Sequence, residues 1–209
     1  MASVSIGNRL RLRWSLVPTV LATAGFLSLV AYFLVLQFPG VMAHGDRNWA
    51  FALHVLGGSL VMLLGPFQFI APIRNRFRAY HRWAGYVFVA GSLAAFIGFW
   101  GIQPVERDIF RASQAAAITL WMLAMVAAVL AARRRRFLTH RHNMARAFVL
   151  AAYFVVVRLM DPWAMAVIEP WLSTSEDAAL AHSDWIAWLV PLLAVEVYYG
   201  MQWGRLLKR

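Results

Sequence analysis

The chain has 209 residues, 62% of them hydrophobic and 14% charged, with 20 Lys and Arg against nine Asp and Glu and no cysteine. A water-soluble domain carries about a quarter charged and just under half apolar residues, so composition excludes one, and the 14% aromatic content excludes a disordered chain. Without cysteine there are no disulfides, iron–sulfur clusters, thiolate metal sites or covalently attached haem. An integral membrane protein remains.

A hydrocarbon core about 30 Å thick requires about 20 apolar residues in helical conformation. Six segments meet that length in chain order: Ser15–Phe38, Trp49–Ile73, Tyr80–Ile102, Ser113–Ala132, Asn143–Ile168 and Asp184–Leu207. Lipid offers backbone polar groups no partner, so these segments are expected to be helices, and the alternating pattern of a transmembrane barrel is absent. The expected fold class is therefore all-α: one domain over residues 1–209, a bundle of six transmembrane helices. The first segment follows a basic leader and precedes Val41-Met42-Ala43, a cleavage-like tripeptide. Its apolar stretch exceeds the roughly 7–15 residues of a signal peptide, which predicts an uncleaved anchor. The connection from Glu169 to Asp184 is the longest and is expected to hold a short helix lying on the membrane.

Charge orients the bundle. Arg9, Arg11 and Arg13 precede the first span; Arg74, Arg76, Arg78 and Arg82 join the second to the third. Arg133 to Arg136, Arg141 and Arg146 join the fourth to the fifth, and Arg205, Lys208 and Arg209 close the chain. The alternate connections hold nearly all the acid, so the positive-inside rule places both termini in the cytoplasm. The same asymmetry explains the pI of 11.3 without nucleic acid as a partner, and makes contact with anionic lipid a by-product.

Ionisable residues at membrane depth normally face the bundle interior, and each is a candidate for function. In the second span His54, Gly58, Val61, Gly65 and Gln68 fall on one helical stripe, read either as a close-packing face or as the wall of a site. In the fifth, Arg158 and Asp161 are three apart and share a face. Glu196 is expected near the middle of the sixth span, either neutral or paired with Arg158. His81 opens the third span at the depth where His140 and His142 open the fifth. Two imidazoles on separate helices at one depth are the pattern of axial haem ligands or of a metal site, although histidines among headgroup arginines are also ordinary. The fourth span, polar only at Gln114, Thr119 and Trp121, reads as scaffold, and His44 and His182 as solvent-exposed loop residues. Trp49, Trp163, Trp171, Trp185 and Trp203 fit an aromatic belt.

Taken together, His54-x-x-x-Gly58, Gly65-Pro66-Phe67-Gln68-Phe69, His81-Arg82-x-x-Gly85-Tyr86 and His140-Arg141-x-x-Met144-x-Arg146, with Arg158 and Glu196 beyond, resemble a bacterial multi-span membrane family, the domain of unknown function 2306. The resemblance runs from about Trp49 to Trp203 and departs at Asn143, where the family often has Trp. It implies a multi-pass protein of the bacterial inner membrane and brings no established activity. The architecture is also similar to small b-type cytochromes, which would place one haem b on His81 with His140 or His142. Paired haems would need a second histidine at the depth of His54, and none is present.

Three functions compete. A redox protein would use haem b or a quinone, with His54, Arg158 and Glu196 handling protons or a quinone headgroup and a membrane redox partner. A small-solute or proton-coupled transporter would line one cavity with Gln68, Arg158 and Glu196, but no inverted repeat is visible. A structural or assembly protein would use the polar residues as glue between helices. No HExxH or GxSxG motif suggests a hydrolase.

Overall fold

The computed structural model describes residues 23–28, 30–31, 35, 49–102, 108–163, 166–167, 169–172 and 175–206. Most of the predicted first span lies outside these residues, as do His44 and the side chains of Asp161, Trp163 and Trp203. The elements are α1 (Trp49–Phe69), α2 (Ala71–Arg76), α3 (Arg78–Gly101), α4 (Asp108–Arg133), α5 (Phe137–Trp163), α6 (Glu169–Leu172) and α7 (Glu176–Leu206), with no strand among the described residues. Among the described residues, four stretches are long and apolar enough to cross a membrane: Trp49–Phe69, Arg78–Gly101, Arg111–Arg133 and Ala178–Gln202. The 27-residue α5 is as long but carries Arg141, Arg146, Arg158 and Asp161.

Local chemistry moves several predicted boundaries. The second span was expected to reach Ile73 but stops at Phe69, because Pro72 in a continuing helix would clash with the carbonyl of Gln68. Ile70 turns extended (φ −76°, ψ 105°), and the chain restarts as α2 with Pro72 in its first turn, where a missing N–H costs nothing. The link from α4 to α5 is shorter than expected. Arg135 adopts φ 57°, the Arg136 amide donates to the Ala131 carbonyl (2.9 Å) and the Arg135 amide to the Ala132 carbonyl (3.0 Å). These are the two bonds of a Schellman cap, here with arginine where glycine is usual. α7 begins at Glu176, eight residues before the expected Asp184, so His182 lies exposed on a helix rather than in a loop. The Glu169–Asp184 connection does contain a short helix, α6.

α1 and α3 form the closest antiparallel pair. A Cβ on Gly57 would lie 2.5 Å from the Gly91 carbonyl oxygen, and one on Gly98 would strike the backbone of His54 and Ala50. Small residues at these crossings let the two backbones approach. Gly58, expected on the packing stripe, instead faces open space, since one residue of helix turns a side chain by about 100°. Gly65 does pack, against the Phe148 ring. α4, α5 and α7 form the second layer around Phe88, Ile118, Trp121, Leu150 and Tyr153, all fully buried. The helical residues near Phe26 join it, with the Phe26 and Phe148 rings 5.4 Å apart. This alternation gathers Arg74, His81, His140–Arg146 and Glu196 at a basic end, and Trp49, Arg111, Arg158 and Asp184 toward the far end.

Candidate functional site

At the basic end α5 presents His140 and His142 on opposite faces, two residues apart on a helix. The Nδ1 of His140 donates to the Ala128 carbonyl of α4 (2.9 Å), which fixes the proton on Nδ1 and leaves a lone pair on Nε2. This carbonyl-anchored tautomer is the one metal-ligating histidines use. His81 lies within Coulombic reach of His140 and Arg74, and its buried Nδ1 has no hydrogen-bond partner. His142 belongs to another cluster. Its Nε2 donates to Glu196 (3.3 Å), and its ring stacks on Tyr199 with centroids 4.4 Å apart and planes 13° from parallel. Of the two candidate partners for His81, the structure therefore brings His140 to it and turns His142 to Glu196.

Glu196 does not pair with Arg158. It takes a two-pronged contact from Arg146, Nε to Oε1 at 2.5 Å and Nη2 to Oε2 at 2.6 Å, the planar fork for which arginine is suited. Arg146 is itself aimed by Asn143, whose Oδ1 accepts from Nη1 (2.9 Å) while its Nδ2 donates to the Thr139 carbonyl. The expected mid-membrane position fails because α7 starts early. Glu196 is twenty residues, or about 30 Å, from Glu176, and so lies at the basic end. Asn143, where the sequence departs from the family pattern, is the residue that positions the arginine.

Toward the far end a cavity of about 260 Å³ opens between the α1–α3 pair and α4–α5. His54, Gly58 and Ser59 of α1, Phe99 of α3, Arg111, Gln114 and Trp121 of α4, and Tyr153, Phe154 and Arg158 of α5 line it. The Nδ1 of His54 donates to the Ala95 carbonyl (2.8 Å), leaving Nε2 as an acceptor, and the imidazole is edged by Phe99 and Phe154. Arg111 donates to the carbonyls of Phe99 (3.3 Å) and Ile102 (3.2 Å) and lies 4.5 Å over the Phe99 ring, so its charge closes the C-terminus of α3. Arg158 is within Coulombic reach of Tyr153 and Asp184. Gln68 and Glu196 are not among the lining residues, so Arg158 alone of the three expected to share a cavity contributes to it. Gln68 is buried at the end of α1 with Nε2 unpartnered.

Behind the cavity wall, the Tyr153 hydroxyl donates to Asp184 Oδ1 (2.7 Å), and Trp188 Nε1 donates to Ser113 Oγ (3.0 Å). Asp184, read from sequence as a loop acid at the edge of a span, is 2% exposed. α4, expected to be scaffold, supplies Arg111, Gln114 and Trp121 to the cavity and Ser113 to this network. The one available signal was the run Arg111-x-Ser113-Gln114 at the head of an apolar helix. The motif residues divide as well. His81 turns inward while Arg82 and Tyr86 are exposed and Gly85 has nothing close above it. Pro66 is buried, Phe69 meets Phe148 with centroids 5.3 Å apart, and Met144 packs on the core.

Apolar helices of membrane-crossing length, with their ionisable groups held between helices, define an integral membrane protein of the helical-bundle class. The chain belongs to the domain of unknown function 2306, a family described as a predicted membrane protein, whose model matches residues 51–199. No curated protein and no solved structure matches it.

Proposed function

We propose that the chain is a six-span protein of the bacterial inner membrane with both termini cytoplasmic, and that it is a membrane redox protein holding a quinone in the far-end cavity and haem b on His81 and His140. The observation that carries this reading is the cavity. Its aromatic walls from Phe99, Trp121 and Phe154 suit a planar ring, and His54, Arg111 and Gln114 offer polar contacts to quinone oxygens. The quinone is bound there by these side chains, with Arg111 held at the cavity edge by its two carbonyl bonds. At the basic end His140, anchored by Ala128, offers Nε2 as an iron ligand, with His81 as the second. A haem there would supply one-electron transfer. Six spans follow from adding the Ser15–Phe38 segment and α5 to the four apolar helices, and the arginine asymmetry orients them. Solute transport, the alternative, relies on Gln68, Arg158 and Glu196 sharing one cavity.

The test is the absorbance spectrum of the detergent-purified protein, as isolated and after dithionite, together with quinone content by solvent extraction. Sharp reduced α and β bands that vanish in both His81→Ala and His140→Ala, with the protein still folded, are expected. Quinone that co-purifies with the wild type and is lost in His54→Ala is expected from the cavity. A colourless protein after expression with excess haem overturns the haem assignment, and absence of quinone overturns the cavity assignment.

A further inference from the structure

The two redox forms of a quinone present different hydrogen-bonding faces to the cavity. An oxidised ring offers only carbonyl acceptors, whereas a quinol hydroxyl both donates and accepts. Arg111 supplies donors alone, and Ser59 and Gln114 each carry a donor and an acceptor, so these three serve either form. His54 does not. Its Nδ1 lies 2.8 Å from the main-chain oxygen of Ala95 on α3, which has only lone pairs to offer. The ring proton therefore sits on Nδ1, and Nε2 of the neutral imidazole carries a lone pair. The two imidazole nitrogens point in diverging directions, so with Nδ1 committed to α3, Nε2 is left for the cavity that His54 lines. The ring is held in that pose from two sides: Phe99 of α3 lies 6.2 Å away between centroids, and Phe154 of α5 meets it edge to face at 5.7 Å. Against a quinone carbonyl this lone pair meets another lone pair, and binding leaves a desolvated nitrogen without a hydrogen. Against a quinol it receives the hydroxyl hydrogen, while the hydroxyl oxygens still accept from the donors of the same lining.

We propose that the cavity selects the reduced, hydroxyl-bearing quinol over the quinone, with His54 Nε2 accepting the hydroxyl hydrogen. This selectivity rests on the quinone reading of the cavity and adds to it which redox form is held. The test is anaerobic equilibrium dialysis of the full-length protein in detergent against duroquinone and, with excess reductant, duroquinol, each scored by solvent extraction relative to protein-free micelles. The wild type is expected to hold the quinol about tenfold more tightly, or better, because the quinone leaves a buried polar atom without its partner. A tenfold preference raises the midpoint potential of the bound two-electron couple by about 30 mV. His54→Asn keeps an N–H for the Ala95 carbonyl and removes the Nε2 lone pair. Its affinity for quinol is expected to fall about tenfold, with that for quinone changed by less than about threefold. Gly58→Leu fills the cavity and is expected to abolish retention of both forms. Retention of neither form by the wild type, or of both by Gly58→Leu, overturns the quinone reading of the cavity itself. Equal or tighter binding of the quinone leaves that reading standing and overturns the selectivity, as does an equal loss of both forms in His54→Asn. If His54→Asn does not fold, the comparison of the two ligands on the wild type decides the proposal alone.

Discussion

The cluster around Glu196 and the cavity around His54 use polar side chains within the same bundle in opposite ways. Around Glu196 the partners come from two facing helices, α5 and α7, and satisfy one another: Asn143 holds Arg146, Arg146 holds Glu196, and His142 bonds Glu196 while stacking on Tyr199. Around His54 four helices contribute, and the groups fixed in place are fixed by main-chain carbonyls, as His54 is by Ala95 and Arg111 by Phe99 and Ile102. A closed pair between two helices is glue. Side chains held from behind around an enclosed space leave their remaining hydrogen-bonding capacity for a ligand. The contrast teaches that an ionisable residue inside a membrane bundle marks a site only when its partners do not use it up.

The largest expected effect is at the crossing that frames the cavity. Gly98→Leu drives a side chain into the His54 backbone and is expected to cost about 3 kcal/mol or more, lowering the denaturation midpoint in detergent and emptying both ends of any ligand. Tyr153→Phe removes the donor to a buried carboxylate behind the cavity wall and is expected to cost about 1–3 kcal/mol by the same measurement. Arg146→Ala leaves Glu196 without its fork and is expected to cost about 1–2 kcal/mol, reduced by the partial exposure of the pair. A cycle with Glu196→Gln should recover part of that loss, since the neutral amide does not need the cation; additivity of the two changes would show that the pair is not glue. The smallest effect on stability sharpens the comparison most. Gly58→Leu enters open space, so the midpoint should shift by less than about 1 kcal/mol while retained quinone falls sharply. Undiminished quinone in that variant would break the assignment of the cavity as the ligand site.

How much could be read in advance varies by residue. Gly65 was legible as an inward position because helical spacing puts it on the stripe from His54 to Gln68, and the membrane class followed from composition. Gly58 and Gly57 were not distinguishable, since adjacent glycines give the same composition on neighbouring faces and only the partner helix decides which one packs. Asp184 was misplaced because a carboxylate near a span boundary reads as solvent-facing until a tyrosine from α5 and a serine from α4 are brought against it. Glu196 moved from the middle to the basic end because α7 starts eight residues early, in a stretch whose acids disguised it as a loop.

The sequence by itself determined the family, the all-helical membrane class and the separation of arginine-rich from acid-bearing connections, because these rest on composition and on one-dimensional spacing that lipid enforces locally. Only the tertiary structure decided that His140 rather than His142 goes with His81, that Arg146 rather than Arg158 takes Glu196, and that the cavity draws on α4. Those outcomes depend on the relative rotation and axial register of packed helices. Steric fit at close crossings such as Gly57 with Gly91 sets both, and a linear pattern does not encode them.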